Sequence, residues 1–172
     1  MVGTSSSNSK LERVKRHLAR RLEREGERCL EFFSSLLPEQ WEQEVYTEGA
    51  QWSVRQVLAH FISTERALRT LVEAIISGGE GAPQDFDIDR FNEAQVKLLD
   101  EHTPSSLTGI FREERESTLN LLEALEPEQT RLQGRHPYFG NMTVEQLLKW
   151  TYQHAQVHLR EIRRVLSRDA SD

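Results

Sequence analysis

The stretch T-V-E-Q-L-L-K-W-T-Y-Q-H-A-Q-V-H-L-R-E-I-R-R-V, residues 143–165, decides how the chain is read. Its apolar positions recur every three to four residues, the spacing of one helix face. Leu147, Thr151, His154, His158, Ile162 and Val165 share that face, so two imidazoles four residues apart point toward the core. Side chains at i and i+4 stand one above the other, and both rings can therefore reach one cation. Two ligands leave an ion under-coordinated, so a third is expected from a facing helix. His60 fits, because it shares the inward stripe of Val57, Phe61, Thr64 and Leu68 on another periodic segment. Three imidazoles with a fourth position free for water or substrate is the donor set of a catalytic zinc-type site. A bare H-x-x-x-H is weak, and the bland alternative is a set of core histidines satisfied by hydrogen bonds. The inward placement of all three favours a ligand set, since burying neighbouring imidazoles without partners is costly.

The remaining punctuation gives four long helices of about 23 to 28 residues. Ser9 with Glu12, Ser53 with Gln56, and Thr143 with Gln146 have capping-box spacing, and Thr103 precedes a proline suited to the first helical position. Pro38, Gly78-Gly79 and Pro127 mark helix ends. The first two stripes run Leu11, Val14, Leu18, Leu22, Cys29, Phe33, Leu36 and Val54, Val57, Phe61, Leu68, Leu71, Ile75. The third holds Leu107, Phe111, Leu121 and Leu125. No comparable stretch alternates with period two, so the expected fold is all-α, an antiparallel four-helix bundle. Residues 78–103 form a long second connection containing a shorter helix over 89–101. Residues 130–141 read as an irregular loop presenting His136, Tyr138 and Phe139. The Ser-rich residues 1–9 are expected to be disordered, and 10–168 to form one domain.

At 172 residues the chain can bury a core without covalent staples. Its one cysteine, Cys29, lies on an apolar stripe, which reads as a core thiol in a reducing compartment. No apolar run approaches the ~20 residues that span a bilayer, and no hydrophobic signal core opens the chain, so a cytoplasmic, membrane-free protein is expected. A net charge of −6 opposes attraction to nucleic acid. The basic cluster Arg13, Lys15, Arg16, Arg20, Arg21, Arg24 and Arg28 is interleaved with Glu12, Glu23, Glu25 and Glu27, as on a solvated helix face. Glu-x-x-His pairs, H-E-x-x-H and a nucleophile elbow are all missing, which argues against ferritin-like, zinc-peptidase and serine-hydrolase chemistry.

Four stretches carry a family resemblance: W-S-V-R-Q-V-L-A-H at 52–60, D-I-D-R-F-N at 87–92, H-P-Y-F-G-N-M-T-V-E-Q-L-L at 136–148, and H-A-Q-V-H at 154–158. Over about residues 10 to 167 the chain resembles the DinB-like (DinB/YfiT) family of metal-binding four-helix bundles. That resemblance implies a divalent metal, zinc first and nickel, manganese or iron as alternatives, on His60, His154 and His158. It also implies a homodimer. Relatives include S-transferases and isomerases that use low-molecular-weight thiols, proteins labelled metal-dependent hydrolases, and members without known activity. A cation held by neutral imidazoles keeps its full charge and acidifies a bound thiol or water, suiting either transfer to an electrophilic small molecule or hydrolysis. The competing class is a non-catalytic bundle that binds a partner.

Other polar residues are weighed singly. Glu114 falls on the inward stripe between Phe111 and Thr118 and is the candidate general base. Asp89 and Asn92 are read as capping the short helix, Trp150 and Tyr152 as covering the bundle, His136 as structural, and His17 and His102 as solvent-facing.

Overall fold

The computed structural model describes residues 3–46 and 49–169. Its helices are α1 (Gly3–Ser34), α2 (Val54–Ile76), α3 (Ile88–Leu98), α4 (Pro104–Ala124) and α5 (Val144–Asp169). Short helical turns occupy Pro38–Glu42 and Pro127–Arg131, and strands β1 (Gln133–His136) and β2 (Gly140–Thr143) form an antiparallel hairpin. The four long helices form the expected four-helix bundle, with α4 and α5 as its third and fourth members, but its neighbours are not antiparallel throughout.

Three of the four expected caps form. Gln56 and Ser53 satisfy each other reciprocally at the start of α2, as do Gln146 and Thr143 before α5, and Thr103 Oγ1 accepts from the Ser106 amide. Ser9 is not a cap, because α1 runs back to Gly3. The expected disordered segment thus overlaps helix from residue 3 onward, and residues 1 and 2 lie outside the described residues. Serine costs only tenths of a kcal/mol in a helix, so a helix anchored by Leu11 and Leu18 propagates backward through it.

Helix direction follows from which halves share a core. Cys29 and Phe33 of α1 pack with Val57 and Phe61 of α2, Leu107 and Phe111 of α4, and Leu159 and Ile162 of α5. Leu18 and Leu22 pack instead with Val72 and Ile75, Leu122 and Leu125, and Leu147 and Leu148. So α1 and α5 run one way while α2 and α4 run the other. Each of α1 and α2 packs against both α4 and α5, leaving the pairs α1/α2 and α4/α5 diagonal. Every long helix has one antiparallel and one parallel neighbour. The parallel pair α2/α4 needs a return along the bundle, and α3 with its flanking segments supplies it.

Between the two apolar clusters sits an ion pair that hydrophobic periodicity does not signal. Arg115 Nε and Nη2 donate to Glu65 at 2.6 and 2.8 Å, and Nη1 donates to the Leu22 carbonyl at 2.6 Å. Both side chains are buried. Gly26 makes room: a Cβ there would stand 3.0 Å from Arg115 Cγ.

The stretch read as an irregular loop is the hairpin. Four-residue strands are too short to show a period, and the hairpin is further tied down by backbone contacts far away in sequence. The Ala82 amide donates to the Arg135 carbonyl at 2.8 Å, and the Arg135 amide to the Glu80 carbonyl at 2.9 Å. Gly81, at φ +97°, lies so close to Arg135 that a Cβ would meet its backbone nitrogen at 2.2 Å. The hairpin is thereby pinned to the connection that leads into α3. That helix is capped by Asp87, whose Oδ1 accepts from the Arg90 amide at 3.0 Å, and not by Asp89 or Asn92.

Candidate metal centre

His60 lies two turns into α2, and His154 and His158 occupy successive turns of α5, the antiparallel neighbour of α2. Their Nε2 atoms converge. His154 Nε2 stands 3.1 Å from that of His60 and 3.0 Å from that of His158, and one ligand atom from each ring lies within 4.8 Å of the others. His60 is buried, and the other two are partly so. Among the described residues no carboxylate or thiol joins the group as a fourth donor.

Proton arithmetic favours a cation at this point. A ring nitrogen carries one hydrogen or one lone pair. His158 turns Nδ1 toward the Glu161 carboxylate at 3.3 Å, which favours hydrogen on Nδ1 and leaves the Nε2 lone pair facing His154. His154 Nε2 cannot answer both neighbours with a single hydrogen, whereas one cation accepts lone pairs from all three. Tetrahedral zinc at about 2.0–2.1 Å would hold its nitrogen ligands roughly 3.4 Å apart, close to the spacings found here. The three histidines can therefore bind a metal ion.

The surroundings keep the rings neutral, the form that ligates. Burial lowers the pKa of His60 to about 3, with His158 adding to the effect. His154 is held well below the usual imidazole value by burial and then by its histidine neighbours. Burial also lowers His158, and Glu161 opposes it.

Around the ligands stands a layer of groups that helix periodicity hides in part. The Tyr46 hydroxyl contacts both His158 Nδ1 and Glu161 Oε2. Burial and the hydrogen bond to Glu161 push its pKa up, so it stays a phenol and donates. Trp52 lies against His60 with centroids 4.7 Å apart. Glu161 could have been found from its position three residues after His158. Tyr46 belongs to no helix, and nothing in its sequence context marks it.

A cavity of about 610 Å³ reaches His60 and His154. Its walls come from α2, α3, the hairpin turn and the start of α5. Asn92 lines it and does not have the capping role expected, and Trp150 lines it while also packing against the core, as expected. Asp89 is exposed in the first turn of α3. Tyr152 is buried in the core, as expected. His136 is structural, its Nδ1 accepting the Tyr138 and Phe139 amides at 3.1 and 3.3 Å, although its ring also borders the cavity. His17 is exposed, whereas His102 is half-buried and hydrogen-bonded to Ser106 at 2.8 Å.

Glu114 is not brought to the histidines. It accepts from Arg66 at 2.6 and 2.9 Å and from Arg69 at 2.6 Å. Burial raises its pKa, but the two guanidiniums outweigh that and hold it below the ordinary carboxylate value. Its inward stripe meets the arginines of α2 before it reaches the site. Cys29 is buried, and burial pushes its thiol up to about 12.

A fold of this topology carrying three convergent histidines defines a helical bundle with a group able to hold a metal ion. The chain belongs to the DinB superfamily, whose family model matches residues 21–162. A solved structure of YfiT from Bacillus subtilis, described as "a probable metal-dependent hydrolase with an unusual four-helix bundle topology", is 18% identical. The likeness covers 99% of this chain and 91% of that one, with a TM-score of 0.66. An uncharacterised protein from Escherichia coli is 12% identical over 91% of this chain and 94% of its own, with a TM-score of 0.69. No curated protein sequence matches. Among the described residues no helix is long and apolar enough to cross a membrane.

Proposed function

We propose that this protein is a metal-dependent enzyme of the thiol S-transferase or hydrolase type, with His60, His154 and His158 holding zinc or a similar divalent ion. One observation carries the reading: the cavity opens onto two of three convergent, neutral imidazoles, and among the described residues no carboxylate, thiol or further imidazole joins them. When bound, the ion supplies Lewis acidity that makes a thiol or water a nucleophile near neutral pH. The chain's own groups prepare the site. Glu161 and Tyr46 fix the orientation of His158, and Trp52 restrains His60. Trp150 and the hairpin turn line the cavity beside His154 and limit the access of water. Cys29 is too deeply buried to react, so in the transferase version the thiol comes from outside the chain, as a low-molecular-weight compound.

Metal-loaded protein should consume glutathione against chlorodinitrobenzene, or hydrolyse a nitrophenyl ester. Either activity should disappear in His154→Ala and return with metal in the stripped wild type. If neither reaction turns over, and the fold is indifferent to metal, the non-catalytic binding reading takes its place.

A further inference from the structure

The cavity wall is chemically one-sided. From the α3 side come Phe86 and Phe91, 5.2 Å apart between centroids. Facing them, Phe139 packs on Trp150 at 4.7 Å and Trp150 on His154 at 5.6 Å, an aromatic run from the surface to a ligand ring. Phe139 is 46% exposed and Tyr138 74% exposed, so aromatic surface stands free at the mouth.

Charge on that wall is nearly absent. Among the described residues no carboxylate lines it. Among the described residues Arg66 is the one cationic side chain on the wall, and it commits Nε and Nη2 to Glu114. Away from the histidines a charged molecule would lose hydration for little return, whereas apolar rings gain from leaving water. Asn92 is different: like Gln95 one turn on, it lines the cavity from α3, and no described residue hydrogen-bonds its amide. A donor and an acceptor are left for whatever enters. Few polar groups set in an apolar wall are the usual means of orienting a small ligand, and the volume falls in the ordinary range for one.

We propose that the cavity takes an uncharged, ring-bearing small molecule, its body between the α3 aromatics and the Phe139–Trp150 wall and one polar group held by the Asn92 amide. This rests on the metal-enzyme reading, since it names the class of electrophile that the site would present to its nucleophile.

The test uses the metal-free full chain and two probes of similar shape, neutral N-phenylnaphthylamine and anionic anilinonaphthalene sulfonate. Saturable fluorescence enhancement is expected with the neutral probe, at an affinity about tenfold or more above that of the anion. Phe91→Ala should weaken it about tenfold, and Phe139→Ala, a change at a partly exposed turn, should act in the same direction. Asn92→Leu, which keeps the wall apolar, should cost roughly two- to tenfold. Equal or tighter binding of the anion overturns the proposal, as does an unchanged affinity in the folded Phe139→Ala and Asn92→Leu variants. Metal affinity of the wild type, measured separately by chelator competition, distinguishes the two failures. Lost metal binding with intact probe binding counts against the metal-enzyme reading, and the reverse counts against this one.

Discussion

His158 and Glu161, one turn apart on α5, are joined by a 3.3 Å contact between Nδ1 and Oε2. A carboxylate on the far nitrogen fixes the tautomer and raises the basicity of the ligating one. Glu161→Gln should therefore weaken metal binding about 10- to 100-fold with helical content unchanged. Tyr46→Phe, which frees Glu161 from its phenol, should have a smaller effect. Competition against a chromogenic chelator measures both, and wild-type affinity in Glu161→Gln would remove the carboxylate from the site.

Each of His60→Ala, His154→Ala and His158→Ala should abolish stoichiometric metal binding. Circular dichroism should stay near wild type, because the two apolar clusters do not depend on the rings. Full occupancy in all three variants would contradict the ligand assignment.

Acid should destabilise the metal-free protein. His60, His154, His158 and His136 all have lowered pKa values in the fold. Below about pH 6.5 the unfolded chain therefore takes up protons that the native state refuses. The stability that these groups contribute is complete above that pH and lost as it falls toward about 3, the value for His60. Urea midpoints at about pH 7.5 and about pH 5 should show the drop, and a higher midpoint in acid would refute it.

The Arg115–Glu65 pair should be costly to break and cheap to replace. Glu65→Ala leaves a buried guanidinium with only the Leu22 carbonyl and should cost about 3–5 kcal/mol in urea unfolding. The double variant Glu65→Leu with Arg115→Met should recover most of that loss. Equal losses in the single and double variants would contradict this account.

Cys29 should resist thiol reagents in the native state, since its thiol is buried and pushed up to about 12. Labelling should appear only with unfolding. Rapid labelling of the folded protein would place the thiol at the surface and return it as a candidate nucleophile.

Much of this molecule is written in local chemistry. Helical periodicity, the caps at Ser53, Thr103 and Thr143, and the inward facing of His60, His154 and His158 specify four long helices and three candidate ligands, because each feature is set by residues within a turn or two on its own helix. Local patterning could not supply the partners of charged groups. Glu114 shares a stripe with core residues, yet it is claimed by Arg66 and Arg69 from α2. Glu65 and Arg115 break their stripes to meet each other. Likewise Asn92 resembles a cap until α3 is laid against the bundle, and Tyr46 carries no signal until the segment after α1 folds back over α5. The hairpin is held to the rest of the fold by the contact of Gly81 with Arg135, more than fifty residues apart. Sequence by itself thus determined the helices and the three histidines that can bind a metal. Tertiary structure alone decided helix order, the cavity and the groups that orient the ligands, because these depend on distances between segments that no local pattern encodes.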